Sequence, residues 1–148
     1  MADYLYLAGP FFDDEQIDRI TRVEAALAAN PTLKDFFSPR KFEYTGLEFG
    51  TKEWRKAVYQ NNIEHLEKAN AVLAIVDFED KQVDSGTAVE IGHATKAGIP
   101  VIIFQEKDID LLNVMISDSL TAYLTTIDEI TNYDFDKLPK NEYNGSVT

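Results

Sequence analysis

The run Ala71-Val72-Leu73-Ala74-Ile75-Val76 decides the fold of this chain. A continuous apolar run of this length is typical of a central strand that is buried on both faces of a parallel sheet. The spacing of apolar residues predicts a helix over 52–68 before this run and another over 87–97 after it. Because a strand between two helices needs crossover connections, the pattern predicts a βαβ arrangement.

The same alternation of strands and helices continues toward both ends of the chain. Further strands are predicted over 4–8, 36–38, 101–104 and 120–124, further helices over 13–29 and 127–132, and a polar surface tail over 133–148. We therefore expect an α/β fold with a doubly wound, parallel five-stranded sheet, flavodoxin-like in its order 2-1-3-4-5, and helices on both faces. No Gly/Ser-rich or Pro-rich stretch divides the 148 residues, which predicts one domain over 1–148.

Composition excludes several classes of protein. The formal net charge of −12 would repel a phosphate-rich polymer, so we expect a small-molecule substrate and no nucleic acid. The absence of cysteine and the separation of the two histidines argue against disulfides, a thiolate nucleophile or a protein-made zinc site. No apolar run approaches the ~20 residues of a membrane span and no secretory signal is visible, so the cytoplasm is the expected compartment.

The strongest local signal is the segment Asp84-Ser85-Gly86-Thr87-Ala88-Val89-Glu90-Ile91-Gly92, which follows the central strand and opens a helix. In doubly wound sheets ligands bind at the carboxyl ends of the strands, which is where this segment lies. A helix N-terminus favours an ionised carboxylate, so Glu90 is a candidate nucleophile. The alternative is a capping box, in which Glu90 satisfies a backbone N–H beside Thr87. Asp84 is a candidate for binding sugar hydroxyls, or a capping Asp.

Other candidate site residues lie at the same edge of the predicted sheet. Gly9 ends the first strand, and the aromatic rings of Phe11 and Phe12 after it could stack on a flat base or simply pack in the core. Tyr6, inside that strand, could hydrogen-bond a buried carboxylate. Candidate ligand contacts farther along the chain are Asn62 in the second helix, Asn113, which could instead be a helix cap, and Met115. The chain has no P-loop, no G-x-G-x-x-G and no G-x-S-x-G, so phosphoryl transfer and serine hydrolysis are poorly supported.

Taken together, these segments resemble the nucleoside 2-deoxyribosyltransferase family through most of the chain. The matching motifs are, in order, Tyr6-Leu7-Ala8-Gly9-Pro10-Phe11-Phe12, Phe37-Ser38-Pro39-Arg40, Glu48-Phe49-Gly50, Glu53-Trp54-Arg55, Asp84-x-Gly-Thr-Ala-x-Glu90-x-Gly, Asn113-x-Met-Ile-x-Asp-Ser-Leu and Asn132-Tyr133-Asp134-Phe135. The order and spacing of these pieces carry the resemblance, because none of them is specific on its own.

The resemblance implies a ping-pong transfer of the 2-deoxyribosyl group between purine or pyrimidine bases, with net retention at C1′. Glu90 would form the covalent glycosyl-enzyme, Tyr6 would orient it and Asp84 would hold the deoxyribose hydroxyls. Phe11 and Phe12 would wall the base pocket. Asn113 would reach into the site of a neighbouring subunit, in a homo-oligomer that is typically a hexamer built from dimers. The partners would be 2′-deoxynucleosides and free nucleobases, and the resemblance implies no cofactor and no metal.

The chain departs from the family pattern at Asn62. The family usually has Asp at this position, where it contacts the base and is thought to exchange a proton with it. An amide forms hydrogen bonds but cannot act as a general acid, whose help is typically worth ~10²–10⁴-fold. Three alternatives stay open: a 2′-deoxynucleoside hydrolase of the same architecture, a non-catalytic nucleoside-binding module, which Asn62 makes plausible, and a flavodoxin-like interaction domain in which Glu90 is only a cap.

Overall fold

A computed structural model describes all residues from Met1 to Thr148. Its main sheet has five strands in the order β2-β1-β3-β4-β6, and every neighbouring pair is parallel. The bounds of these strands are Leu5–Ala8 for β1, Phe36–Phe37 for β2, Ala71–Ile75 for β3, Val101–Phe104 for β4 and Ala122–Leu124 for β6. The strand order expected from the sequence is thus confirmed.

Helices cover both faces of this sheet. The five helices are α1 (Asp14–Ala29), α2 (Lys52–Glu67), α3 (Ser85–Lys96), the short α4 (Val114–Ser117) and α5 (Ile127–Asn132). Helices α1 and α5 close one face, where Ile20 and Ile130 are fully buried in one apolar cluster. Helices α2 and α3 close the other face, where Leu66 and Ile91 belong to a second cluster. The doubly wound α/β fold predicted from the alternating elements is therefore confirmed.

Strand β1 shows how the sheet positions the site. Successive side chains of a strand point to opposite faces, so Leu5 and Leu7 pack toward α1. Tyr6 and Ala8 pack toward α2 and α3. All four residues are completely buried. This alternation aims the phenol of Tyr6 at the helix that carries Glu90.

Some elements differ from those expected. Residues 111–112 form a short strand, β5 (Leu111–Leu112), which pairs in parallel with β7 (Ser146–Val147) in a separate two-stranded sheet. The predicted polar surface tail over 133–148 is wrong at its start, because Tyr133 and Phe135 are buried in the core beside α1. Of the apolar side chains on α2, only Leu66 is fully buried. No helix of the chain is long and apolar enough to cross a membrane.

Candidate active site

The end of β1 forms the floor of the candidate site. Gly9 follows this strand directly, and a Cβ at Gly9 would lie 3.0 Å from the Cβ of Ile75 in β3. Few real Cβ atoms have so close a contact, so a side chain at position 9 would force Ile75 to move by a few tenths of an ångström. Glycine favours the close approach of the two strand ends here.

Tyr6 and Glu90 meet at the centre of this edge. The Tyr6 hydroxyl donates a hydrogen bond to Oε2 of Glu90, 84 residues away in the chain. Burial raises the pKa of Glu90 to about 7, the Tyr6 hydrogen bond opposes that rise, and the negative charge of Asp84 adds to it. The pKa of the Tyr6 phenol is also raised, chiefly by burial and then by the charge of Glu90. The phenol therefore stays protonated and keeps donating to the carboxylate.

The start of α3 corrects two expectations. The helix begins at Ser85 with Asp84 as its N-cap, whose carboxylate accepts from the backbone N–H of Thr87 at 3.0 Å. The predicted capping box is wrong, because Thr87 lies inside the helix and Glu90, a full turn farther on, bonds to Tyr6 instead of a backbone N–H. The expectation that the helix N-terminus keeps Glu90 ionised is also wrong, because burial dominates and raises its pKa.

Helix α2 brings two adjacent asparagines to the same side of the sheet. Nδ2 of Asn61 donates to the hydroxyl of Tyr44 at 3.2 Å, and its backbone carbonyl lies 2.7 Å from Nδ1 of His65. Asn62 behaves differently, because its Oδ1 is buried and has no hydrogen-bond partner. A polar atom in that state is unusual in a folded protein and asks for an explanation.

The two phenylalanines after Gly9 occupy different environments. Phe11 is half-buried and packs against the apolar cluster beside α1. Phe12 is 67% exposed, and its ring stands edge-on to Phe78 with 6.3 Å between ring centroids. Of these two rings, only that of Phe12 is accessible to a ligand. The ring of Phe11 packs against the core and holds the loop in place.

Asn113 and Met115 lie away from Glu90 within one chain. Asn113 caps α4 by accepting from the backbone N–H of Met115 at 2.9 Å, and Met115 is 77% exposed. Both residues line a cavity of about 540 Å³. The same cavity is bounded by Ala88 and Gly92 of α3, which project from the helix roughly opposite to Glu90.

A buried ion-pair network fixes the neighbouring loop, which the sequence did not reveal. The carboxylate of Asp77, just beyond β3, accepts from the backbone N–H groups of Glu106 and Lys107 at 2.9 Å each. Arg19 donates to Glu106 at 2.9 Å and lies 3.7 Å from Asp77. Arg22 also donates to Glu106, at 2.6 Å and 3.0 Å. These contacts hold the loop after β4 against the end of β3.

Sequence reasoning missed an aromatic group beneath the site. Phe37 packs on Tyr6 with ring centroids 5.7 Å apart, and His65 stacks on Phe37 at 3.8 Å. Tyr44 lies close enough to Tyr6 to contribute to its raised pKa. The run of aromatic residues between Phe37 and Trp54 was the available signal, but it falls in a loop that has no periodicity. No group of three or more His, Asp or Glu side chains is arranged to hold a metal ion.

Comparison with known proteins identifies the family. Residues 5–138 match the model of the family described as nucleoside 2-deoxyribosyltransferase. A nucleoside deoxyribosyltransferase of Limosilactobacillus fermentum is 31% identical over 143 residues, which cover 88% of this chain and 84% of that protein. The solved structure of a 2-deoxyribosyltransferase from Bacillus psychrosaccharolyticus is 37% identical and superposes with a TM-score of 0.86, covering 95% of this chain and 99% of that one.

A conserved protein of Enterococcus faecalis shares the fold at 17% identity, with a TM-score of 0.73 over 88% of this chain and 96% of that one. The doubly wound sheet and the extent of the family match define a transferase of α/β architecture. The chain belongs to the nucleoside 2-deoxyribosyltransferase family.

Proposed function

We propose that this enzyme moves the 2-deoxyribosyl group from one nucleobase to another through a covalent ester on Glu90. The observation that carries the proposal is the hydrogen bond from the buried Tyr6 hydroxyl to Oε2 of Glu90, at the carboxyl edge of the parallel sheet. A hydrogen bond to one carboxylate oxygen fixes the plane of the group and leaves Oε1 free to attack. The substrates are 2′-deoxynucleosides and free nucleobases, as the family membership suggests.

The proposed reaction has two displacements at C1′. In the first, Oε1 of Glu90 bonds to C1′ while the C1′–N bond breaks, and its electron pair leaves with the base. In the second, a nitrogen of the incoming base attacks C1′, the ester oxygen leaves as the Glu90 carboxylate, and the base releases one N–H proton to water. Two inversions give net retention, as in retaining glycosidases that use a carboxylate nucleophile.

The raised pKa of Glu90 suits this role. A carboxylate with a pKa of about 7 is a better nucleophile than an ordinary surface carboxylate, yet half of it is ionised at neutral pH. Asp84, whose charge helps to raise that pKa, is the proposed ligand of the deoxyribose hydroxyls. Its capping contact with Thr87 holds its side chain in place beside the start of α3.

The positions of Asn113 and Met115 favour a site shared between subunits. Both are exposed and face away from Glu90 of their own chain, so they are free to complete the site of another copy. We propose that the chain works as a homo-oligomer, a hexamer of three dimers, in which these two residues contact the substrate of the neighbour.

Product analysis tests the proposed reaction. The protein is incubated with 2′-deoxyinosine and adenine, and products are separated by chromatography. Transfer gives 2′-deoxyadenosine, hydrolysis gives free deoxyribose, and a binding module gives neither. A donor-only incubation followed by intact-mass measurement is expected to show one deoxyribosyl adduct, mapped to Glu90 by peptide sequencing. An adduct on another residue, or turnover without any adduct, contradicts the ester.

A further inference from the structure

Asn62 offers a ligand only a neutral N–H donor. Its Oδ1 is buried without a partner, and a buried acceptor left unpaired typically costs about 1–3 kcal/mol. Its Nδ2 makes no hydrogen bond to the protein and is not among the buried unpaired atoms, so Nδ2 is accessible from outside the protein. Asn62 lies one turn before Leu66, on the side of α2 that packs toward the cluster containing Tyr6.

The neighbouring residue shows that this state is specific to position 62. The Asn61 side chain is engaged by Tyr44 and its carbonyl by His65, so both contribute to the local structure. The Asn62 side chain makes no hydrogen bond within the protein. In Asn62 the buried oxygen has no partner, and the amide nitrogen makes no hydrogen bond to the protein. This arrangement suits the binding of a ligand.

The other polar side chains that we find near Glu90 have hydrogen-bond partners within the protein. The Tyr6 hydroxyl is committed to Glu90, and the Asp84 carboxylate accepts from Thr87. His65 is held by the Asn61 carbonyl and stacked on Phe37 at 3.8 Å. On the adjoining part of α3, His93 faces Glu67 at 3.6 Å. The Tyr44 hydroxyl accepts from Asn61 and, as a phenol, is a weak acid beside any carboxylic acid.

We propose, resting on the proposed function, that Asn62 makes this enzyme select its donor by the acidity of the base. As Glu90 bonds to C1′, the C1′–N electron pair leaves with the base, which departs as an anion. Nδ2 of Asn62 donates a hydrogen bond to that anion without transferring a proton, and the anion takes its proton from water afterwards. Preferred donors are therefore 2′-deoxynucleosides whose bases are acidic, such as halogenated uracils.

A pair of matched donors tests this selection. The 5-bromo and 5-methyl groups of 2′-deoxyuridines are nearly equal in size, but bromine makes the N1 position of the free base more acidic. The readout is kcat/KM for each donor at pH 6 with one fixed acceptor, because it reports the step in which the base leaves. In the wild type we expect the bromo donor to be faster by about tenfold or more, since the leaving base receives no proton.

Asn62→Asp should reduce that preference. Burial raises the pKa of a carboxyl group, so an Asp at this position would hold a proton at pH 6 and could pass it to the base. We expect the slower, methyl donor to gain most, which brings the two donors to within about threefold of each other.

Asn70→Asp is the matched control. Oδ1 of Asn70 accepts from the backbone N–H groups of Asp3 and Tyr4, at 3.0 Å and 2.9 Å, and a carboxylate can accept both bonds equally well. This residue precedes β3, at the opposite end of the sheet from Glu90. The same chemical change there should leave the ratio between the two donors at the wild-type value.

Two results overturn the inference. One is a wild-type ratio near one, which can be measured even if Asn62→Asp fails to fold. The other is a folded Asn62→Asp variant that keeps the wild-type ratio. In either case transfer that still depends on Glu90 leaves the proposed function standing, whereas transfer that survives removal of Glu90 defeats the function itself.

Discussion

Glu90 and Glu106 are two partly buried carboxylates at the same edge of the sheet, with opposite electrostatic surroundings. Glu106 receives hydrogen bonds from Arg22 and Arg19, and these lower its pKa in spite of its burial. Glu90 receives one hydrogen bond, from a neutral phenol, and burial together with the charge of Asp84 raises its pKa to about 7. The comparison shows one carboxylate that holds a loop in place and another whose raised pKa comes at the expense of stability and suits its proposed role as nucleophile.

The largest expected effect is on turnover. Glu90→Ala and Glu90→Gln should each lower the rate of transfer by at least about 10³-fold, because no neighbouring group can replace Glu90 in its proposed role as covalent nucleophile. Glu106→Gln, the same change at the paired carboxylate, should keep most of the wild-type rate at 25 °C. Comparable losses in both variants would mean that the two carboxylates do not have separate roles.

The ion-pair network around Glu106 should contribute more to the free energy of unfolding than the exposed ion pairs do. Arg19→Met is expected to lower the free energy of unfolding by roughly 3 kcal/mol, because the side chain is only 7% exposed and its loss leaves Asp77 and Glu106 short of a partner. Lys34→Met, which breaks an ion pair whose partners are 58% and 75% exposed, should change it by less than about 1 kcal/mol. Urea denaturation measures both, and equal losses would contradict the contrast.

The hydrogen bond from Tyr6 should set the pH dependence of transfer. The Glu90 carboxylate forms as pH rises through about 7, so kcat/KM should fall about tenfold for each pH unit below that value. Tyr6→Phe removes the contact that lowers this pKa, so the acidic limb should move to higher pH. Phe37→Leu, which alters the packing of Tyr6 but keeps its hydroxyl, is the control. A limb that stays in place in Tyr6→Phe would show that the phenol does not tune Glu90.

The smallest expected effect concerns the stability of Glu90 variants. A carboxyl whose folded pKa is raised destabilises the native state above that pKa and not below its unfolded value of 4.5. Glu90→Gln should therefore raise the free energy of unfolding by roughly 1–3 kcal/mol at pH 8, with little change at pH 4.5. A gain of the same size at both pH values would point to packing and not to charge.

The sequence predicted the sheet order and the large helices because buried parallel strands and amphipathic helices leave continuous or periodic apolar patterns. Strands β5 and β7 have two residues each, too few to show a period. The start of α3 was misplaced because Thr87-x-x-Glu90 fits a capping box, while Asp84 also fits an N-cap and takes that role in the structure.

The sequence predicted only those residues of the candidate site that belong to a recognisable motif. Glu90, Tyr6 and Asp84 were singled out, and the structure brings them together. The expectation that the helix N-terminus keeps Glu90 ionised left out burial, which raises the pKa of Glu90 and depends on segments that are distant in the sequence. The unpaired Oδ1 of Asn62 and the support of Tyr6 by Phe37 depend on packing between distant segments, which one sequence does not display.

The half-buried carboxylate of Glu90 has a practical consequence for laboratory evolution. A library screened only for resistance to heat in alkaline buffer would reward clones that replace this residue, since a neutral side chain there relieves an electrostatic penalty. We expect the variants selected in this way to be stable but inactive. Selection for heat resistance in mildly acidic buffer, followed by an activity screen near neutral pH, would avoid this bias. It would retain the variants that keep the Glu90 carboxylate.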